Sequence, residues 1–154
     1  MGQMLKLKIP PPVYALVTAA LMWLLNVWLP LVILFKEPWN ALGLLIALAG
    51  IAIDLLAVIQ FRKEGTTINP LRPDDSVKVL ENGLYRISRN PMYLGMLLIL
   101  TGLGVWLGSV TPLLCLPLFV LVITTQQILP EEETLRYKFG QDYLDYMHRV
   151  RRWL

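Results

Sequence analysis

Long, nearly uninterrupted apolar runs constrain this chain more than any other feature. Four of them, at about residues 13–35, 39–61, 91–107 and 111–129, approach or exceed the roughly 18 residues that read as a bilayer span. Inside lipid every backbone N–H and C=O must find a partner within the segment, so each run is expected to be a helix. At ~1.5 Å per residue the first two reach about 34 Å and the third about 26 Å, which allows tilt or a re-entrant course there. Pro10, Pro11 and Pro12 end the arm before the first run, and Pro30 is expected to kink or shorten it near its far end. Composition agrees: 56% hydrophobic and 16% charged residues exclude both disorder and an ordinary soluble domain. The first run is too long for the h-region of a signal peptide and no small-residue cleavage site follows it, so no cleaved leader is expected.

Charge sets the expected orientation. Lys6 and Lys8 precede the first run, six bases from Arg62 to Arg89 lie between the second and third, and Arg136, Lys138, Arg149, Arg151 and Arg152 follow the fourth. Thirteen of the 14 basic residues thereby fall on one side, with Lys36 alone on the other. The positive-inside rule makes that side cytoplasmic and predicts a multi-pass cell-membrane protein with both termini inside. The net charge of +3 then calls for no nucleic-acid partner, and no obligate protein partner is evident. Cys115 lies within an apolar run and His148 is the sole histidine, so no metal site is predicted. The expected fold class is an all-α integral membrane protein. One domain over residues 1–154 would comprise about four transmembrane helices, a structured cytoplasmic loop at 62–90 and a C-terminal cytoplasmic amphipathic helix at 131–150.

The loop is rich in Gly, Pro, Asp and Asn, with Gly65, Thr66 and Thr67 together and with Pro70 and Pro73 preventing a long helix. In the last segment Leu135, Phe139, Tyr143, Met147 and Val150 recur three or four apart, one apolar stripe for the membrane surface or the helical hairpin formed by the third and fourth runs. Two places carry potential chemistry. The first is the stretch from Asn82 to Gly95. Pro91 suits the first turn of a helix and Ser88 or Asn90 can cap it, which leaves N–H groups pointing at an anion. Tyr93 adds a ring and a hydroxyl, though Arg and Tyr beside a span also serve as interfacial anchors. The second is Glu131, Glu132 and Glu133 directly after the fourth run, which either complement the next helix's N-terminus or receive a cation. Both places sit at one cytoplasmic mouth, so a zwitterionic ligand suits them together.

These residues resemble a known family. Val79, Leu80, Glu81, Asn82, Gly83, Leu84 and Tyr85, then Arg89 to Gly95, then Glu131, Glu132, Leu135, Phe139, Gly140, Tyr143 and Tyr146 resemble the integral-membrane methyltransferases of the isoprenylcysteine carboxyl methyltransferase and phospholipid methyltransferase superfamily, prokaryotic type. The resemblance spans roughly Phe61 to Trp153, in three separated blocks in the same order. Asn90 stands where the family pattern usually has histidine. The resemblance implies methyl transfer from S-adenosyl-L-methionine to a lipophilic small molecule or membrane lipid at the cytoplasmic face. It implies cofactor contacts from Val77, Lys78, Val79, Leu80 and Tyr85, and from Asn90, Pro91, Met92 and Tyr93 around the amino-acid and ribose portions. Glu131 would take the ammonium end, and Arg89, Glu131 and Glu132 are the candidate catalytic residues. Gln127 occupies the position at which prenylcysteine enzymes place an arginine facing the substrate carboxylate, which weakens the case for a carboxylate acceptor.

Two other readings are weighed. Membrane reductases of the steroid-reductase type, which use NADPH, carry a similar motif, but this chain has Met92 and Met96 where that pattern has Asn and Glu. A noncatalytic scaffold on the same fold would bind no nucleotide-like cofactor. Asp54, the one acid inside a run, is a functional candidate by its cost, or faces Gln60, Thr101 or Thr124. Gly104 and Gly108 have the spacing of a helix-contact motif, and Arg149, Arg151 and Arg152 read as a lipid-facing basic cluster.

Overall fold

The structure, a computed structural model, describes residues 9–63 and 78–154. Among these residues the fold is all-helical, with three helices long and apolar enough to cross a membrane and a fourth, shorter apolar helix. Helix α1, Pro11–Trp28, begins on its prolines, which suit positions whose N–H groups have no intrahelical partner. It stops seven residues before the expected end. Pro30 has no N–H to continue the ladder and its ring opposes the carbonyl four residues back. The chain instead runs extended across the far end of the molecule, where Ile33 bridges Ser109 and the Gly108 carbonyl accepts from the amides of Leu34 and Phe35.

A short 3₁₀ turn, Trp39–Ala41, leads into α2, Leu42–Lys63. Helix α3, Pro91–Leu107, ends on Gly108 in the left-handed region at φ +85°, a conformation glycine adopts without a β-carbon clash. The reversal it makes joins α3 to a continuous helical rod from Val110 to Phe139. That rod contains α4 (Val110–Leu113), α5 (Cys115–Ile123), a π turn (Thr124–Ile128) and α6 (Leu129–Phe139). In the π turn the Leu129 amide reaches back five residues to the Thr124 carbonyl. This wider turn comes just before Pro130, where a normal turn would meet the proline ring.

The single helix expected at 131–150 is therefore two pieces. Its first half is α6, the continuation of the rod, and Gly140 (φ +54°) turns the chain into α7, Gln141–Arg149.

Helices α2 and α3 are held together by glycines. Gly43 faces Gly102 and Gly50 faces Gly95, and a β-carbon on any of the four would collide with atoms of the opposite helix. Both helices repeat glycine every seven residues, so two turns of backbone meet directly, the close approach that membrane helices use when hydrophobicity gives no preference between protein and lipid. The pair at Gly104 and Gly108 does something else: Gly104 receives Leu113 and Met22, and Gly108 makes the turn. A second layer, with Met22, Met96, Leu100, Phe119, Ile123 and Ile128 all buried, unites α1, α3 and the rod. Many outward residues of α1 and α2, among them Leu16, Trp23, Leu45, Leu48 and Leu55, are large, apolar and exposed, as a lipid-facing surface requires.

Candidate functional site

The site is assembled where α3 begins and the rod emerges. A 3₁₀ turn, Gly83–Arg86, precedes it, entered through Gly83 at φ +57°. Gln60 from the end of α2 brackets this turn, donating through Nε2 to the Asn82 carbonyl and accepting the Leu84 amide at 3.3 Å. Tyr85 is thereby buried, its ring edge-on to Phe61 with centroids 5.1 Å apart, in a cluster with Ala57, Leu80, Leu84 and Met92. The Tyr146 hydroxyl donates to the Tyr85 carbonyl at 2.8 Å. Burial above all pushes the phenols of Tyr85, Tyr143 and Tyr146 well above their ordinary values, so all three stay neutral.

At the start of α3 the N-cap is Asn90, which makes no side-chain cap bond; its backbone amide donates to Ser88 Oγ at 3.1 Å. Asn90 turns its side chain outward and donates from Nδ2 to the Arg152 carbonyl at 3.0 Å. Three residues further on, the Tyr93 hydroxyl donates to Glu131 Oε1 at 2.5 Å. Motif and acid block thus meet through a direct hydrogen bond between buried α3 and the first turn of α6.

Glu132 points elsewhere. Its side chain is 3% exposed and it receives Arg89 at 3.0 Å, Arg152 through two bonds of 2.9 and 2.8 Å, and Arg136 at 3.7 Å. The hydrogen bond to Glu132 raises the Arg152 guanidinium above its ordinary range. A carboxylate enclosed by three guanidinium groups holds structure together and has little freedom to meet a ligand. Arg89 is different. One nitrogen binds Glu132, while its buried Nε and Nη1 have no hydrogen-bond partner among the described residues, an arrangement whose cost is met when an anion supplies the acceptors. Glu131, the residue before Arg89's partner Glu132, offers carboxylate oxygen and is held by Tyr93. One donor set, on Arg89, and one acceptor, on the residue before Arg89's partner Glu132, have the chemistry to meet the carboxylate and ammonium of an amino acid.

The remaining candidates divide. Leu80, Tyr85 and Met92 lie together in the apolar cluster. Val79 packs toward Tyr143, Tyr146 and Val150, and with Lys78 it borders an open groove of about 430 Å³ shared with Glu81, Phe139, Asp142 and Arg149. Val77 lies outside the described residues, as do Gly65, Thr66, Thr67, Pro70 and Pro73. Asp54 meets none of the three partners considered for it: Gln60 holds the 82–84 turn, Thr101 bonds to the Leu97 carbonyl, the Thr124 hydroxyl has no partner among the described residues, and the Asp54 carboxylate lies over Gly95 with Oδ1 likewise without a partner among them. Gln127 is fully buried in the π turn, donating to the Ile9 carbonyl at 2.8 Å, while its Oε1 and the nearby Thr124 hydroxyl have no partner among the described residues. Of the three arginines read as a lipid-facing cluster, Arg152 turns inward to Glu132 and Arg149 pairs with Glu81 at 2.8 Å. Three site residues take roles that the sequence reading does not assign them: Gln60, there a partner for Asp54, brackets the 82–84 turn; Tyr146, there only part of the resemblance, bonds to the Tyr85 carbonyl; and Arg152, there a lipid-facing base, grips Glu132.

The comparisons bear on the same segments. The phospholipid methyltransferase family model matches residues 38–142. The chain is 48% identical over 63 residues to an uncharacterized protein of Haemophilus influenzae, a match covering 41% of this chain and 100% of that one. It is 30% identical over 124 residues to a probable protein-S-isoprenylcysteine O-methyltransferase of Oryza sativa subsp. indica, over 75% of this chain and 61% of that protein. It is 27% identical over 117 residues to protein-S-isoprenylcysteine O-methyltransferase B of Arabidopsis thaliana, over 75% of this chain and 59% of that one. The chain therefore spans about three fifths of the length of these plant relatives. No solved structure matches it.

Proposed function

The chain belongs to the phospholipid methyltransferase family, and from that premise we propose that it transfers a methyl group from S-adenosyl-L-methionine to a lipophilic small molecule or membrane lipid at the cytoplasmic face. The observation that carries this reading is that Arg89, whose buried Nε and Nη1 have no partner among the described residues, binds Glu132 directly next to the Tyr93–Glu131 pair. Arg89 supplies N–H donors for the carboxylate of the donor's amino-acid portion. Glu131 accepts from its ammonium group, held in place by Tyr93, and Asn90 and Tyr85 line the approach.

The donor supplies an electrophilic methyl on a positively charged sulfur. Displacement there is in line and needs little proton transfer, so the chain's work is alignment and exclusion of water. Should the acceptor be a neutral amine, positive charge moves toward it, and Glu131 is the carboxylate best situated to stabilise that charge. With Gln127 in place of an arginine, the rod offers the acceptor a neutral amide, which favours an uncharged or cationic group over a carboxylate. The basic loops argue for cytoplasmic termini. A lipophilic acceptor would then enter between helices from the bilayer while the donor enters from the cytoplasm.

Calorimetric titration of the detergent-purified protein with S-adenosylmethionine, and with NADPH as control, tests this. Saturable binding of the sulfonium compound alone is expected, weakened at least tenfold, about 1.4 kcal/mol, by Glu131→Ala and by Tyr93→Phe, with His148→Ala unchanged. Binding of NADPH instead, or of neither compound to a folded sample, overturns the reading.

A further inference from the structure

We propose that the segment from Val150 to Trp153 is a positioning strap for the ligand site, and that Arg152 is the residue through which it acts. This rests on the methyl-donor reading above and adds a residue to it.

The strap touches both halves of the site at once. Its backbone receives the start of α3: the Arg151 carbonyl accepts the Arg89 amide at 3.0 Å, and the Arg152 carbonyl accepts Ser88 Oγ at 3.3 Å and Asn90 Nδ2 at 3.0 Å. Its side chain grips the start of α6, two guanidinium nitrogens of Arg152 meeting the two oxygens of Glu132. Val150 is buried with Tyr143 and Tyr146, and Trp153 packs against the membrane-side core that includes Tyr93. One residue thereby joins the α3 start, through its carbonyl, to the α6 start, through its guanidinium.

That geometry fixes two things a donor would meet. Nδ2 of Asn90 is committed to the strap, so the amide's orientation is set and its Oδ1 is the atom left to face elsewhere. Glu131 is one residue from the gripped Glu132, so its position relative to Tyr93 depends on where the strap anchors α6. A fork-to-carboxylate contact holds both distance and angle, which an ammonium at the same place does not.

The test compares two ligands that share an adenosine: S-adenosylmethionine, and 5′-methylthioadenosine, which lacks the amino-acid portion. Arg152→Ala is expected to weaken the first about tenfold, about 1.4 kcal/mol, and to leave the second within roughly twofold, with Arg152→Lys intermediate. Arg151→Ala keeps its carbonyl and is expected to bind both as the wild type does. General loosening would weaken both ligands alike, so an equal loss overturns the strap, as does no loss. Should Arg152→Ala fail to fold, the same selectivity is read from Arg152→Lys, and its absence there is equally fatal. If the wild-type protein binds no S-adenosylmethionine, the methyl-donor reading itself falls and takes the strap's role with it, an outcome separate from wild-type binding that Arg152 does not affect.

Discussion

The seam between α2 and α3 and the arginine knot around Glu132 solve the same problem, fixing two helices against each other, by opposite means. In the seam, Gly43, Gly50, Gly95 and Gly102 remove side chains until backbone meets backbone, and contact area alone holds the pair. In the knot, long side chains from α6, the α3 start and the strap converge on one buried carboxylate. Shape suffices inside the bilayer because every helix is internally bonded and no water competes. At the mouth, where a polar ligand must enter, directed bonds are needed to hold groups at chosen angles while the surface stays wet. In the proposed function it is the knot that bears directly on the site, since it ends one residue from Glu131.

If this contrast is right, the largest loss of stability comes from the knot. Glu132→Ala leaves Arg89, whose side chain is 7% exposed, as an uncompensated buried charge, and removal of one partner from such a pair costs about 3–5 kcal/mol. Thermal unfolding in detergent followed by circular dichroism is expected to show a clear drop in midpoint. A variant as stable as the wild type would mean that water already reaches Arg89.

Much of this architecture was legible in the chain. Four apolar helices follow from run length, and the nearness of motif and acid block follows from their sharing one mouth, but the specific Tyr93–Glu131 bond does not. What escaped did so for physical reasons. Arg152 lies twenty residues beyond Glu132 and carries no periodicity that would announce a contact; among three nearby bases it looked like a lipid anchor. Sequence spacing alone does not separate the packing glycines, seven apart in α2 and in α3, from the four-residue pair Gly104 and Gly108; only a backbone angle tells a turn glycine from a packing one. Pro30 announced a break whose position depended on Asn26, Leu29 and Thr111 finding partners with the far turn. Gly140 was in view as a family position, yet the stripe from Leu135 to Val150 continued across it as though the helix did.

A smaller effect is expected in the seam. At Gly102 a β-carbon would meet the Gly43 carbonyl and the Ala47 amide, backbone atoms that cannot swing aside, so Gly102→Leu must part the helices. Overpacking of this kind costs about 1–3 kcal/mol, and because Gly102 lies about two and a half turns along α3 from Tyr93, affinity for S-adenosylmethionine should change less than stability does. A loss of affinity as large as that from Glu131→Ala would make the seam part of the site and erase the distinction drawn above.

The smallest effect sharpens the comparison within α7 and the strap that follows it. Arg149 and Arg152 are three residues apart and each binds a glutamate at 2.8 Å, so by distance alone they are equivalent. Their surroundings differ. The Arg149 and Glu81 side chains are 62% and 34% exposed, against 33% and 3% for Arg152 and Glu132. Water solvates Arg149 fully when its partner is removed, and salt screens the pair when it is present. Arg149→Ala should therefore cost no more than about 1 kcal/mol, with that small difference vanishing in high salt, and it should leave donor binding unchanged. A loss matching that of Arg152→Ala would show that the outer groove of Lys78, Glu81 and Asp142 supports the site as firmly as the knot does, and that burial is not what separates the two arginines.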